Sequence, residues 1–170
     1  MPVLAIIAAA LAILAGGGGA YVAVRRMSEE KEIRFALRTR AILAHVDPDI
    51  AEAIGKTESE WKLRAINMTG GDLARGGAWG PTQITEKTAR AYGYAGPMEA
   101  FREDPDLAAK WTAILLAKRP GGPPTNIRDA GAWWNAGKAT ADRLTPGGST
   151  ETKYLPRLMR AYDYVRSALA

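Results

Sequence analysis

Ile50, Ile54 and Glu58 recur at the spacing that puts side chains on one stripe of an α-helix. Glu52, Lys56 and Glu60 fall on a second stripe, roughly opposite. The pattern therefore predicts a helix over Asp47–Trp61 with a charged, wet face and an apolar face, and one carboxylate, Glu58, belongs to the apolar face. Asp47-Pro48 marks its start, an N-cap followed by proline in the first turn. Upstream, Ser28 followed by Glu29, Glu30 and Glu32 reads as another helix start, with Ile33, Leu37 and Ala41 on one stripe as far as about Ala44. Downstream, Thr85 caps a short helix to about Tyr92, and Asp104-Pro105 opens a longer one through Leu115 and Lys118. Asn126 opens a helix that Gly137 ends, and a last helix from about Tyr154 to Leu169 carries Leu155, Leu158, Met159, Tyr162 and Val165 on one face. The glycine-rich stretch 67–80 reads as a loop with room for a small hairpin. No segment alternates as a strand does, so the fold class is mainly α, with one helical domain over 27–170.

The first residues differ in kind. Val3–Val24 holds no charged side chain and, at roughly 22 residues, would span about 33 Å as a helix, enough for a hydrocarbon core. A retained transmembrane anchor over 1–26 is the favoured reading. A signal peptide lacks its usual basic leader here and has a poor cleavage site at Ala20; a buried core helix would need some polar position. Gly16–Gly19 weaken such a helix less in lipid than in water. Arg25-Arg26 flank the end of the stretch, and the positive-inside tendency would keep the rest of the chain in the cytoplasm. A domain that works outside would then need an unusual route, such as delivery with a phage particle.

The net charge is +5, which favours polyanionic partners, including an anionic cell wall. No dense Lys/Arg run with interleaved aromatics occurs, so nucleic acid is not an expected partner. There is no cysteine, and His45 is the single histidine, without metal-ligand spacing or a nucleophile-elbow glycine pattern. Thiolate chemistry is excluded, and zinc or triad chemistry is disfavoured. On the pattern alone Glu58 reads either as a helix-end glutamate that reaches solvent, the favoured reading, or as a carboxyl group held among apolar neighbours. Apolar surroundings disfavour its charged form and raise its pKa, which lets a glutamate serve as a general acid near neutral pH.

Further motifs follow in order: Glu58-Ser59, Gly80-Pro81-Thr82-Gln83-Ile84, Thr88-Ala89, Trp133-Trp134-Asn135-Ala136-Gly137, and Glu151-Thr152-Lys153-Tyr154. Together they resemble the lytic transglycosylase domain, within the goose-type lysozyme and soluble lytic transglycosylase-like group, over about residues 42–166. The family pattern is a Glu-Ser pair, Gly-Leu-Met-Gln with a following Thr-Ala, Ala-Tyr-Asn-Ala-Gly, and a late tyrosine. Pro81-Thr82 stand in place of Leu-Met and Trp134 in place of the tyrosine, changes expected to alter groove shape and sugar preference. The stretch 67–76 lengthens the gap between Glu58 and Gln83.

The resemblance implies a lysozyme-like helical domain acting on peptidoglycan glycan strands, at the β-1,4 bond between N-acetylmuramic acid and N-acetylglucosamine, with a 1,6-anhydro product and no cofactor or metal. It implies Glu58 as the catalytic acid. Ser59 is expected to orient that carboxylate or a sugar, against the plainer reading of a helix-end serine bonded to backbone. Gln83 and Asn135 are expected to bond N-acetyl groups or backbone, Trp134 to contact sugar, and Tyr154 to touch Glu58 or the muramic residue. Trp79 and Trp133 either stack on sugars or belong to the core. Asp72, Glu86 and Asp142 are the candidate second acids; none shares an apolar stripe, and surface charge is the favoured reading for each. A water-holding partner would instead make a hydrolytic lysozyme, and an inactive structural membrane or virion protein is the remaining alternative. Anchoring would place the domain in the periplasm facing the wall, or on a virion, beside phage-particle or secretion-complex proteins.

Overall fold

A computed structural model describes residues 18–168. Helix α1 (Gly18–Leu43) runs without a break through Ser28, so the expected start at Ser28 lies inside a helix already under way. The expected anchor falls mostly on residues outside the described ones. Among the described residues, no helix is long and apolar enough to cross a membrane.

Helix α2 (Pro48–Ser59) begins where Asp47 accepts the backbone N–H of Asp49. It ends at Ser59 rather than Trp61, because Glu60 and Trp61 both turn left-handed, at φ 56° and 58°. Trp61 folds back under the helix and donates its indole N–H to the Glu52 carbonyl at 3.0 Å. Stretch 67–80 is more ordered than a loop. Strand β1 (Ile66–Asn67), helix α3 (Gly70–Leu73) and strand β2 (Ala78–Trp79) fill it, and β2 pairs antiparallel with both β1 and β3 (Ile84–Thr85). Register is set by Ile66 opposite Trp79 and by Trp79 opposite Ile84.

Helix α4 (Glu86–Ala91) is capped by Thr85, and α5 (Pro105–Lys118) by Asp104, which accepts from Asp106 and Leu107. A 3-10 turn at Met98–Arg102 leads into α5. Helix α6 (Ile127–Ala136) starts at Asn126 and stops at Gly137, whose φ of 65° suits a residue without a side chain. A π-turn at Thr150–Tyr154 feeds α7 (Leu155–Ser167). On α7, Leu155, Leu158 and Val165 are buried, whereas Met159 is 38% exposed and so leaves the packed face expected for it.

Helix α2 is the centre of the arrangement. It packs against α1 on one side and α7 on another. Ile50, Ala53 and Ile54 sit in a core shared with Phe101, Leu115, Leu116 and Leu158. A smaller cluster of Ile33, Leu37, Trp61, Ala109 and Val165 seals α1 to the rest. The two helices approach closely at Gly55, where a methyl group would stand 2.9 Å from the Leu37 side chain and 3.0 Å from Trp61.

The charged stripe of α2 is only partly wet. Glu52 is fully buried, not solvated. Arg34 donates to one of its oxygens, and Arg38 to the other at 2.9 Å while also reaching Asp49 at 2.6 Å. Arg34 additionally stacks over the Trp61 ring. With helices on two sides of α2, the solvent-facing arc is narrower than an isolated amphipathic helix would show. A carboxylate inside the packed arc is tolerated because two guanidiniums from α1 neutralise it. Glu60 is exposed, as its stripe predicts.

Candidate functional site

Glu58 occupies the last turn of α2, where the helix meets the cleft. Its carboxyl accepts a hydrogen bond from the Tyr154 hydroxyl at 2.6 Å. Tyr154 ends the π-turn and is itself buried, so a rigid donor holds the acid in place. Burial raises the Glu58 pKa to about 7; the Tyr154 hydrogen bond and the Arg157 guanidinium oppose the rise, and the negative charge of Asp72 adds to it. Burial also drives the Tyr154 hydroxyl well above its ordinary value, with Glu58 contributing, so it stays a donor. A carboxyl poised this way holds a proton at neutral pH and can give it to a bound oxygen.

Glu58 lines one of two neighbouring cavities. One, of about 690 Å³, is lined by Lys56, Glu58, Ser59, Ile66, Arg157 and Tyr164 among others. The second, of about 450 Å³, is lined by Thr88, Tyr92, Trp133, Trp134, Asn135 and their neighbours. Gln83 belongs to the walls of both, so the two cavities adjoin at its side chain to form one groove region, and Glu58 lines the first of them. Such a shape suits an extended polymer better than a compact metabolite.

Gln83 is held by an uncommon backbone. Its φ is 54°, and its side-chain amide donates to the Gly80 carbonyl at 2.9 Å. That bond uses the amide N–H and leaves the side-chain oxygen available as an acceptor on a residue that lines both cavities. Gly80, at φ 74°, lies so near the chain at Phe101 that a side chain would come within 2.5 Å of a carbonyl oxygen, which explains glycine at the head of this turn. Ser59 does not touch the Glu58 carboxylate. It donates to the Pro81 carbonyl at 2.8 Å and accepts from the Lys62 backbone at 3.0 Å. It therefore ties the Gly80–Gln83 turn to the end of α2 and fixes Gln83 relative to Glu58.

Pro81 and Thr82 are buried, and the Thr82 hydroxyl meets that of Thr112 at 2.8 Å. Two of the departures expected to reshape the groove, Pro81 and Thr82, are thus taken up in the core. Trp134 is partly exposed on the groove wall, with the buried Trp133 edge-on to it at 5.8 Å. Asn135 is exposed on the same wall and accepts from the Thr150 hydroxyl at 2.8 Å, bracing α6 against the π-turn. Trp79 lies on β2, tied to the Gly76 carbonyl at 2.8 Å, and lines neither cavity.

Of the candidate second acids, Asp72 accepts from the Asn67 amide at 2.8 Å and is near enough for its charge to be felt at Glu58. Glu86 pairs with Arg90, and Asp142 is exposed. Sequence reading overlooked Arg157. It donates to the Thr57 carbonyl at 2.7 Å from α7 and sets part of the field at Glu58. Its signal lay in its place three residues after Tyr154, one helical turn on, where it shares that residue's side of the chain.

No curated protein and no solved structure matches the chain. A family model does: that of the transglycosylase SLT domain matches residues 37–154. The matched span holds the helix whose last turn carries Glu58, the turn at Gln83, the groove wall at Trp134 and Asn135, and the tyrosine bonded to Glu58. The acid, its phenolic partner and the walls at Gln83, Trp134 and Asn135 thus fall inside one matched span, and the chain belongs to the transglycosylase SLT domain family of peptidoglycan lytic transglycosylases.

Proposed function

We propose that this protein cleaves the β-1,4 bond between N-acetylmuramic acid and N-acetylglucosamine in peptidoglycan and leaves a 1,6-anhydro end. The observation that carries the reading is a carboxyl of pKa about 7 lining a cavity that adjoins a second one at Gln83, and bonded by a buried tyrosine. Glu58 in its acid form donates its proton to the glycosidic oxygen, and the bond to the muramic anomeric carbon breaks through an oxocarbenium-like state. The muramic N-acetyl oxygen stabilises that carbon from the opposite side, a documented substitute for a second carboxylate. Glu58, now ionised, takes the proton of the muramic 6-hydroxyl, whose oxygen closes on the anomeric carbon. The proton count returns to its start and no water is consumed.

Tyr154 and Arg157 favour the ionised state of Glu58 that forms midway, while burial favours the protonated state that begins the cycle. Their balance near neutrality suits a group that serves in turn as acid and base. Gln83 and Asn135 supply amide contacts to N-acetyl groups and Trp134 a face for a sugar ring.

Val3–Val24 supports a membrane anchor that confines cutting to the wall beside the bilayer, in the periplasm or from a virion, for phage entry or a secretion machine. Protease protection of the domain in sealed vesicles tests that placement; a domain protected on the cytoplasmic side overturns it.

The test of the chemistry is mass spectrometry of muropeptides released from purified peptidoglycan. Wild-type protein is expected to release anhydro products and Glu58→Gln none, while remaining folded. Products heavier by one water would overturn the anhydro route and favour hydrolysis aided by Asp72. Near-wild-type release by Glu58→Gln would remove Glu58 from the mechanism, and no release by either protein would leave the fold a structural one.

A further inference from the structure

The two ends of the groove are chemically unlike. The end beyond Gln83 has an aromatic wall at Trp133 and Trp134. The end beyond Glu58 is wider and carries Lys56, Lys62, Arg157 and Arg160 against one lining acid other than Glu58 itself, Glu60. Glu60 approaches Lys62 at 3.5 Å, with both side chains largely in water, which offsets little. Lys56 is not free to wander. Its ammonium sits over the Trp61 ring at 4.4 Å and the Tyr164 ring at 4.1 Å, pinned at the cavity wall. Arg157 is anchored on the Thr57 carbonyl, and Arg160 follows it three residues along α7. Among the described residues, no carboxylate forms an ion pair with Lys56, Arg157 or Arg160.

A neutral glycan gains little from such a wall. The acidic part of peptidoglycan is the short stem peptide on the lactyl ether of each muramic sugar, with its free carboxylates. We infer that the cavity formed by Lys56, Arg157 and Arg160 receives the acidic stem peptide of a muramic residue bound next to Glu58, so that the protein prefers peptide-bearing strands over bare glycan. This rests on the peptidoglycan-cleaving reading above. The far end carries Arg75 and Lys87, both exposed, without stacked or anchored cations, and serves the strand backbone instead.

The experiment measures two quantities for peptide-bearing strands and for the same strands stripped of peptide by an amidase: binding, with the uncleaving Glu58→Gln protein, and turnover, with the otherwise wild-type protein. Binding is expected to favour peptide-bearing strands by about tenfold at low ionic strength, the order expected of a few partly exposed charge pairs. That ratio is expected to shrink towards one as salt rises to about 0.5 M. In the Glu58→Gln background, Arg160→Glu combined with Lys56→Gln is expected to bring the ratio to about one by the same measure. Lys118→Glu, outside both cavities, changes net charge but is expected to leave the ratio as it was.

Equal binding of both strands overturns the inference while leaving the cleavage reading intact. An equal loss of preference from Lys118→Glu also overturns it, by reducing the effect to net charge. Peptide-dependent binding without turnover of either strand upholds the acidic-peptide cavity and overturns the cleavage reading.

Discussion

Replacing Glu58 by glutamine separates what the residue does for chemistry from what it costs the fold. In the unfolded chain its carboxyl ionises near 4.5, and in the folded protein near 7. Below about pH 4 it is protonated in both states, and glutamine resembles it closely. Between those values the native state holds a proton that the unfolded state has released, so wild-type stability falls as pH rises. Above about pH 7 both states are ionised and the loss levels off. At about 1.4 kcal/mol per pH unit the full penalty is about 3 kcal/mol. Glu58→Gln removes it, and its amide oxygen can still accept from Tyr154. The variant is expected to match wild type near pH 4, to gain about 1.4 kcal/mol near pH 5.5, and to gain about 3 kcal/mol near pH 8. Urea unfolding at these pH values measures it, with activity lost throughout. A pH-independent difference, or a gain largest in acid, refutes the argument that burial holds this carboxyl protonated.

Tyr154→Phe removes the donor that favours ionised Glu58, so the alkaline limb of the pH–rate profile is expected to move up by about one pH unit as the rate falls. A downward shift would contradict the hydrogen-bond assignment. Arg34→Met with Arg38→Met strips Glu52 of both guanidiniums; thermal and urea unfolding are expected to show a loss of about 3–5 kcal/mol, and adding Glu52→Gln to recover much of it. Thr82→Val breaks a buried hydroxyl pair, yet Thr112 keeps its bond to the Ala108 carbonyl, so a loss of about 1 kcal/mol is expected with kcat and KM unchanged. A large change in KM would return Thr82 to the groove.

Local signals were legible wherever their chemistry is local. Asp47, Asp104 and Asn126 each cap a helix through an N–H two or three residues on, and Gly137 ends one through its own backbone angle. What could not be read were partners distant along the chain. That Ser59 bonds backbone is the plainer of its two readings, but the partner, the Pro81 carbonyl, lies 22 residues along the chain and has no local signal. Thr82 looked like a groove residue from its motif, but its hydroxyl finds Thr112 on α5. The small hairpin that the sequence allows in 67–80 is the β1–β2 pair, but its register and the short α3 between the strands have no signal, because two-residue strands are too short to alternate.

Glu52 and Glu58 show most sharply what periodicity measures and what it misses. Both are carboxylates on α2, and Glu52 is the more deeply buried. If burial alone marked a catalytic acid, Glu52 would be the candidate. Its charge, however, is met by Arg34 and Arg38 from α1, so it stays a structural anion that holds two helices together. Glu58 is less enclosed, but its direct contact is a neutral phenol, and the guanidinium whose charge reaches it, that of Arg157, is bonded to the Thr57 carbonyl. Desolvation there goes largely uncompensated and appears as a raised pKa instead of an ion pair. On the proposed mechanism the acid is therefore set by a mismatch: of two carboxyls on one helix, Glu52 is fully buried and paired, whereas Glu58 is half-buried and left without a full counter-charge.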